Sequence, residues 1–273
     1  MILESILDQS CFATIATISK DSLEKLEILS QANYYLIKQF DNIILSTNAS
    51  EDVQQTDVDA YHSRWKELYP KSIIIHTDLN KGHMFGTIDL EEEILRVVRE
   101  YNLKVKYLWK SMDDVLTTAD ILKLDLPEAD FYYLPGFSYE SILIAGGKDN
   151  LHKNFESNFW TPQTTFFILN IDNIDSLYGD DVDSKMHLYQ KEKAWNKDIK
   201  PWEMSFDIKF DCETHLGRTT KPLTKQCLIQ DLFEDLLGLV EFNKVGDPSH
   251  KNIYFQNIGI CHYHFYKNSV YYI

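Results

Sequence analysis

Two adjacent carboxylates, Asp113 and Asp114, follow the stretch "KYLWKSM", whose apolar residues are typical of a buried strand. Like charges at this spacing repel each other, so a counter-charge is expected beside them. The sequence leaves a metal ion, a lysine and solvating water open as that counter-charge. Carboxylates that follow a buried strand can bind a divalent cation, which in turn binds a diphosphate. A solvated turn with two acids is the competing interpretation.

The stretch "NKGHMFG" places Asn80, Gly82 and Gly86 ahead of a predicted helix. Glycines at such a point let the backbone approach a ligand and let a helix pack closely. The spacing matches neither the phosphate-binding P-loop nor the dinucleotide-binding glycine fingerprint. A tight loop without a ligand is the alternative.

Another pair of acids, Glu234 and Asp235, lies in the stretch "DLFEDLL". A carboxylic acid beside apolar residues in a cleft has a raised proton affinity, which suits a general base. The polar face of an amphipathic helix explains the same residues without any chemistry.

His262 and His264 are separated by one residue in "GICHYHFY", so they share one face of a strand. A histidine at the end of a strand can be a metal ligand. A histidine that packs in the core with its hydrogen bonds satisfied is the alternative.

Strand-like and helix-like stretches alternate in the first half of the chain. Strands are predicted at residues 11–19, 42–48, 71–77 and 104–110, and helices at 20–40, 61–70 and 87–103. Asp89 and Glu91 are expected in the first turn of the last of these helices. The alternation predicts a parallel sheet with helices on both faces. Ligands bind at the carboxyl ends of the strands in such sheets, where Asp113 and Asp114 are expected.

The alternation ends near residue 125. Residues 131–147 are predicted to form two strands around a turn at Pro135 and Gly136. Further strands are predicted at the ranges 164–170, 203–212 and 253–266, and a helix at 227–244. The second half is expected to pack against the first, with a cleft between them.

The composition excludes several classes of protein. A chain of 273 residues with 44% hydrophobic residues can bury a large core, whereas its net charge of −15 argues against nucleic-acid binding through a basic surface. The four cysteines include no C-x-x-C pair, which argues against a disulfide scaffold or structural zinc. No apolar run approaches the roughly 20 residues of a membrane span. These features predict a soluble, cytoplasmic protein.

The order of the short motifs resembles the GT-A fold glycosyltransferases, particularly the large inverting family with an xED base. The resemblance covers roughly residues 12–264 and is carried by six stretches in the family's order. These are "IATISKDSLEKLEIL", "LSTNASED", "NKGHMFG", "SMDDV", "FED" and "IYFQNIGICH".

This resemblance implies an α/β fold with a GT-A type, Rossmann-like mixed sheet flanked by helices. Residues 1–125 would bind the donor, and residues 126–273 would bind the acceptor and carry the catalytic base, within one continuous domain. The implied activity is that of a hexosyltransferase-like enzyme. It would transfer a sugar from a nucleotide-diphosphate donor to a hydroxyl acceptor, with inversion and with Mn²⁺ or Mg²⁺ as cofactor. The acceptor could be a glycan, a lipid-linked sugar or another hydroxyl-bearing molecule.

The resemblance also implies roles for individual residues. Asp235 would be the catalytic base, with Glu234 as the fallback. The metal would be held by Asp113, Asp114 and His262, with His264 as the rival of His262. The residues expected to bind the donor are Thr17, Asn48, Gly82, Gly86 and Asp113.

The chain departs from the family's pattern at two positions and in one segment. Met112 stands where the family has its first acid, and Thr47 stands where it often has an acid that contacts the nucleotide base. Residues 178–225 match no motif and could carry acceptor specificity or an oligomer contact. A sugar nucleotidyltransferase stays open, although the glycine-rich "G-x-G-T-R" of that class is missing from "IATISKDS". A catalytically inactive glycan-binding relative is the non-enzyme alternative.

Overall fold

The computed structural model describes most of the first half of the chain and separate strands of the second half. The described residues are 2–78, 80–81, 83–117, 119–126, 129–137, 160–172, 174–178, 226–228, 260–266 and 269–272. The predicted strand at 203–212 and most of the predicted helix at 227–244 lie outside these residues.

Ten strands and three α-helices are assigned within the described residues. The strands are β1 (Ser10–Ile18), β2 (Asn42–Ala49), β3 (Ile73–His76), β4 (Tyr107–Met112), β5 (Val115–Thr117), β6 (Phe131–Phe137), β7 (Trp160–Asn170), β8 (Gln226–Leu228), β9 (Ile260–Tyr266) and β10 (Ser269–Tyr272). The helices are α1 (Ser22–Ile37), α2 (Gln55–Leu68) and α3 (His83–Glu100), and two 3₁₀ helices span Leu3–Gln9 and Ala119–Lys123.

Four parallel strands form the first part of a seven-stranded sheet whose order is β3-β2-β1-β4-β7-β6-β8. The central strand β1 pairs with β2 on one side and with β4 on the other, so that Ile15 is aligned with both Ser46 and Met112. A strand between two parallel neighbours, with helices covering both faces, must be apolar on both sides. The β-branched run of β1 meets this requirement, and its burial is nearly continuous.

The sheet continues from β4 through antiparallel strands. β7 runs antiparallel to β4 and to β6, and β8 runs parallel to β6. The predicted α/β class, with a mixed Rossmann-like sheet flanked by helices, is confirmed. None of the described helices is long and apolar enough to cross a membrane.

The turn predicted at Pro135 and Gly136 is wrong, because both residues lie inside β6 and pair with β7 after a register shift. β8 pairs only with the first three residues of β6, so Pro135 lies beyond the part that has neighbours on both sides. Prolines occur in sheets at bulges and where a strand has a neighbour on one side only, and the position of Pro135 after the register shift fits both conditions.

The first residues of the helix predicted at 227–244 are also assigned differently. Cys227 and Leu228 belong to β8, where they pair with Tyr132 and Tyr133. A short apolar run does not by itself distinguish a strand from the start of a helix. Pairing with the neighbouring strand β6 makes this segment a strand.

Helices cover both faces of the sheet, as the alternation predicts. α1 and α2 pack on one face, where the buried core includes Phe12, Trp109 and Trp65. α3 packs on the other face with a separate core that includes Ile15 and Leu108. The even and odd residues of β1 therefore serve two different cores.

Helix α3 begins at His83 rather than at Thr87, so neither Asp89 nor Glu91 lies in its first turn. Glu91 is fully buried against the sheet, where its carboxylate forms an ion pair with Lys110 of β4 and accepts a hydrogen bond from the hydroxyl of Tyr178. The ammonium of Lys110 also lies 5.7 Å from the ring centre of Phe167. This buried ion pair ties α3 to the sheet.

A smaller three-stranded sheet, in the order β10-β9-β5, lies beyond the end of β4. β9 supplies the described part of the strand predicted at 253–266. Its antiparallel pairing with β5 aligns His262 with Val115.

Candidate active site

Asp113 and Asp114 form a tight turn between β4 and β5, which is called the acidic turn below. The backbone N–H of Asp113 donates a hydrogen bond to the carbonyl of Ile15 (2.9 Å), so the turn continues the pairing of β4 with β1. The turn thus lies at the carboxyl end of β4, where the sequence places it. This end of a parallel sheet is where α/β proteins bind their ligands.

Lys25 of α1 supplies the counter-charge that the acidic turn requires. Its ammonium donates a hydrogen bond to Oδ2 of Asp113 at 3.3 Å, and the two side chains are 15% and 10% exposed. Of the three counter-charges that the sequence leaves open, the structure shows the lysine.

Burial and charge act against each other at this pair. The pKa of Asp113 is raised to about 6: burial is the largest cause, the ammonium of Lys25 opposes it, and the carboxylate of Asp114 adds a smaller increase. Burial lowers the pKa of Lys25, but the carboxylates of Asp113 and Asp114 outweigh burial and raise it above its ordinary value. Lys25 and Asp113 therefore favour each other's charged form, as expected of the ion pair that their geometry shows.

Asn33 of α1 fixes the strand that leaves the acidic turn. Its side-chain amide donates to the carbonyl of Val115 (2.9 Å) and accepts from the backbone N–H of Thr117 (2.7 Å). One side chain thereby satisfies two backbone groups of β5. Lys25 and Asn33 together make α1 the support of the acidic turn.

Strand β9 contains both predicted histidines, and its backbone pairs with β5, the strand that follows the acidic turn. His262 is aligned with Val115, the first residue after Asp114, and His264 follows two positions later on the same strand. On its other side, His264 is aligned with Tyr271 of β10.

Thr17 and Asn48, two of the residues predicted to bind the donor, are direct neighbours in the pairing of β1 with β2. Thr17 is exposed at the end of its strand, whereas Asn48 is 1% exposed. The Oδ1 atom of Asn48 has no hydrogen-bond partner within the described part of the chain. A buried acceptor without a partner is costly unless a ligand or a water molecule supplies the missing hydrogen bond.

Gly86 lies in α3 against the same corner of the sheet. A Cβ atom at this position would lie 3.0 Å from Oδ1 of Asn80 and 3.2 Å from Nδ2 of Asn48. Only glycine therefore lets α3 approach both asparagines without displacing them. Gly86 thus lies next to Asn48, but it lies inside α3, whereas the sequence predicts it ahead of the helix. Gly82 lies outside the described residues.

A cluster around Thr47 was not predicted as a functional feature. The Thr47 hydroxyl lies 2.9 Å from Nε2 of His62 and 2.9 Å from Nδ1 of His76, and it donates to the carbonyl of Ile75 at 3.1 Å. Since the hydroxyl has one proton, at least one of the two imidazoles must donate to its oxygen, and the tautomers of the two rings decide which. Burial, and then the His76 ring, lower the pKa of His62, whereas Asp59 opposes the change.

The acidic turn supplies two carboxylates that could bind a hard divalent cation, because carboxylate oxygens are suitable ligands for Mg²⁺ or Mn²⁺. The backbone of His262, the third predicted ligand, is aligned with that of Val115, the residue after the turn. Within the described ranges, no three metal-ligating side chains form a cluster. The predicted bases Glu234 and Asp235 lie outside those ranges.

Sequence reasoning missed Lys25 and Asn33, although their spacing carries a signal. Both residues are four positions from Leu29, which is buried, so the three lie on one face of α1. A lysine and an asparagine on the buried face of a helix each require a polar partner. The partners, Asp113 and the backbone of β5, are visible only in the folded chain.

The chain is similar in structure to several distant transferases. The galactosyltransferase LgtC, solved in complex with donor and acceptor sugar analogues, matches 92% of this chain and 86% of its own at 10% identity, with a TM-score of 0.46. Core-mannan synthase A from Aspergillus fumigatus, in an Mn/GDP form, matches 82% of this chain and 73% of its own at 11% identity (TM-score 0.41). The inositol-1-phosphate CTP transferase from T. maritima matches 81% of this chain and 86% of its own at 11% identity (TM-score 0.39). No protein-family model and no curated protein matches this chain.

Proposed function

We propose that this protein is a glycosyltransferase that moves a sugar from a nucleotide-diphosphate donor to a hydroxyl acceptor. One observation carries the proposal: the acidic turn, the Thr17–Asn48 pair and the strand of His262 all lie toward the carboxyl ends of the parallel strands. A nucleotide along β1 and β2 would have its diphosphate near the acidic turn. Asn48 Oδ1, which is buried and has no hydrogen-bond partner among the described residues, supports a ligand at this edge.

The charge of the chain explains why such a donor needs a cation. With a net charge of −15, and with two aspartates beside the one ammonium of Lys25 in the described part of the site, the protein favours a diphosphate only weakly unless further positive charge is supplied. Asp113, Asp114 and His262, with His264 as the rival, would hold Mn²⁺ or Mg²⁺. The cation would stabilise the negative charge that develops on the leaving diphosphate.

The acceptor and the base belong to the second half of the chain in this proposal. Asp235, or failing it Glu234, would accept the proton of the acceptor hydroxyl as that oxygen attacks the sugar from the face opposite the leaving group. This geometry inverts the configuration of the sugar. Residues 1–125 would bind the donor and residues 126–273 the acceptor, with residues 178–225 available to select it. The cytoplasmic location stays a prediction.

A thermal-shift screen tests the proposal directly. UDP-, GDP-, CMP- and dTDP-sugars are added to the purified chain with and without Mn²⁺, because a ligand that binds only the folded state stabilises it by about 2.7 kcal/mol at 100 times its Kd. We expect one nucleotide class to raise the melting temperature in Mn²⁺ and its sugar to be transferred or slowly hydrolysed. Release of pyrophosphate from a nucleoside triphosphate would identify a nucleotidyltransferase instead. Stabilisation by glycans alone would identify an inactive relative.

A further inference from the structure

Lys25 occupies a position that neither the resemblance nor the proposed function assigns. It is the cation that neutralises the acidic turn in the structure, through its hydrogen bond to Asp113. Its side chain is 15% exposed, so it reaches the turn from α1 while keeping limited contact with solvent. A lysine ammonium has three N–H donors, and the structure uses one of them within the described residues.

The charges around Lys25 determine how its ammonium responds when a divalent cation binds nearby. The ammonium of Lys25 lies 3.3 Å from Oδ2 of Asp113, and both side chains are largely buried. A divalent cation bound to Asp113 would lie within a few ångströms of the ammonium and would repel it strongly, because the site is largely shielded from water. Lys25 and a metal therefore compete for the carboxylate of Asp113.

The diphosphate of a donor would resolve this competition. It brings negative charge to the same point, and the two N–H donors of the ammonium that bind nothing among the described residues can bind phosphate oxygens. The four-carbon stem of lysine allows the ammonium to move between neighbouring anions without movement of the helix.

We propose that Lys25 is the resident counter-ion of the acidic turn: it holds Asp113 until a divalent cation binds and then binds the diphosphate of the donor. This inference rests on the proposed function for the divalent cation at the acidic turn and for the diphosphate of the donor. In it, Lys25 couples the binding of metal and nucleotide, because each ligand gives the other a better site.

The test uses Lys25→Met in the full chain and two calorimetric titrations. The first titrates Mn²⁺ without nucleotide, and we expect the variant to bind Mn²⁺ about tenfold more tightly, since the competing charge is gone. The second titrates, at saturating Mn²⁺, the nucleoside diphosphate of the class found by thermal shift, and we expect binding about tenfold weaker. A lysine that only supports the fold would change both affinities in the same direction or neither.

Two further variants keep the test decisive. Lys25→Arg retains the charge and should keep both affinities close to those of the unchanged protein. Lys38→Met removes the same charge from an exposed position just after α1 and should alter neither titration. Melting curves without ligand establish that each variant is folded.

Each outcome supports or overturns the inference. Unchanged or weaker Mn²⁺ binding by Lys25→Met overturns the competition at Asp113, and so does failure of both proteins to bind Mn²⁺. Unchanged nucleoside diphosphate binding overturns the phosphate contact. If no nucleotide stabilises the unchanged protein, the proposed function fails, whereas the Mn²⁺ titration still tests the role of Lys25 as counter-ion.

Discussion

The side-chain amide of Asn33 forms two hydrogen bonds with the backbone of β5, one of them with the carbonyl of Val115 at 2.9 Å. Val115 follows the acidic turn and is aligned with His262 of β9. A single residue of α1 therefore holds the strand that connects the two aspartates to the histidine strand. This relationship makes the geometry of the candidate site dependent on helix packing.

Asn33→Ala should loosen β5 without unfolding the chain. The substitution leaves the carbonyl of Val115 and the N–H of Thr117 without their partner, and each such buried group costs about 1–3 kcal/mol. We expect a lower free energy of unfolding in urea and faster hydrogen exchange at the Thr117 amide. Gln31→Ala, at an exposed position of the same helix, is the control. Unchanged exchange at Thr117 would show that β5 is held by other contacts.

The Thr47 cluster should make the protein sensitive to mild acid. The pKa of His62 is lower in the folded chain than its ordinary value, so the unfolded chain binds protons more readily. His62 therefore contributes full stability above about pH 6.5, and this contribution is lost as the pH falls through that value toward the lower pKa of the folded state. His62→Gln keeps a donor for Thr47 and removes the titration. We expect its melting temperature to fall less than that of the unchanged protein between about pH 7.5 and 5.5. Equal falls would contradict this assignment.

The buried ion pair of Lys110 and Glu91 should be costly to break from one side. Lys110→Met leaves the Glu91 carboxylate in the core without its cation, and such changes cost about 3–5 kcal/mol of folding free energy. The double variant Lys110→Met/Glu91→Leu should recover most of that loss, since an apolar pair can replace a buried ion pair. Chemical denaturation of the single and double variants measures both effects. The control is Arg64→Met, which breaks an ion pair with Glu27 at the surface and should cost less than about 1 kcal/mol of folding free energy. A similarly small cost for Lys110→Met would refute the prediction.

The proposed base gives a kinetic prediction. Asp235→Asn should lower the turnover number by about 10²–10⁴-fold, because a positioned carboxylate contributes this much to proton removal. Donor binding should persist, since the residues proposed to hold the diphosphate lie elsewhere. Transfer assays with the identified donor, together with its affinity by calorimetry, separate the two effects. Near-normal turnover would show that Asp235 is not the base, and Glu234 would then be tested by the same assay.

The first half of the fold could be predicted because its signals are local. Each strand of the parallel half is a short apolar run, and each helix has its own apolar stripe. The expected position of Asp113 and Asp114 at the carboxyl edge follows from the same alternation. The acidic turn is found there, next to Ile15 of β1.

The parts of the fold and of the candidate site that the sequence did not predict depend on partners that are distant in sequence. Pro135 and Gly136 are turn formers by type, yet β7 pairs with both of them and keeps them in a strand. Glu91 resembles a first-turn acid until Lys110, from the sheet, provides a partner that allows it to be buried. Lys25 and Asn33 share a face with Leu29, but the spacing of a helix does not specify which strand end that face meets.

The most direct test of the central claim is the affinity of the chain for its nucleotide-sugar in Mn²⁺, measured by calorimetry for the unchanged protein, Asp114→Asn and Asp8→Asn. If the donor binds at the acidic turn, Asp114→Asn loses at least about 100-fold in donor affinity, which is about 2.7 kcal/mol. The melting curve of this variant without ligand should show a folded protein. Asp8→Asn changes an exposed acid near the opposite end of β1 and should bind the donor normally. Equal donor affinity for all three proteins in Mn²⁺ would contradict a donor site at the acidic turn.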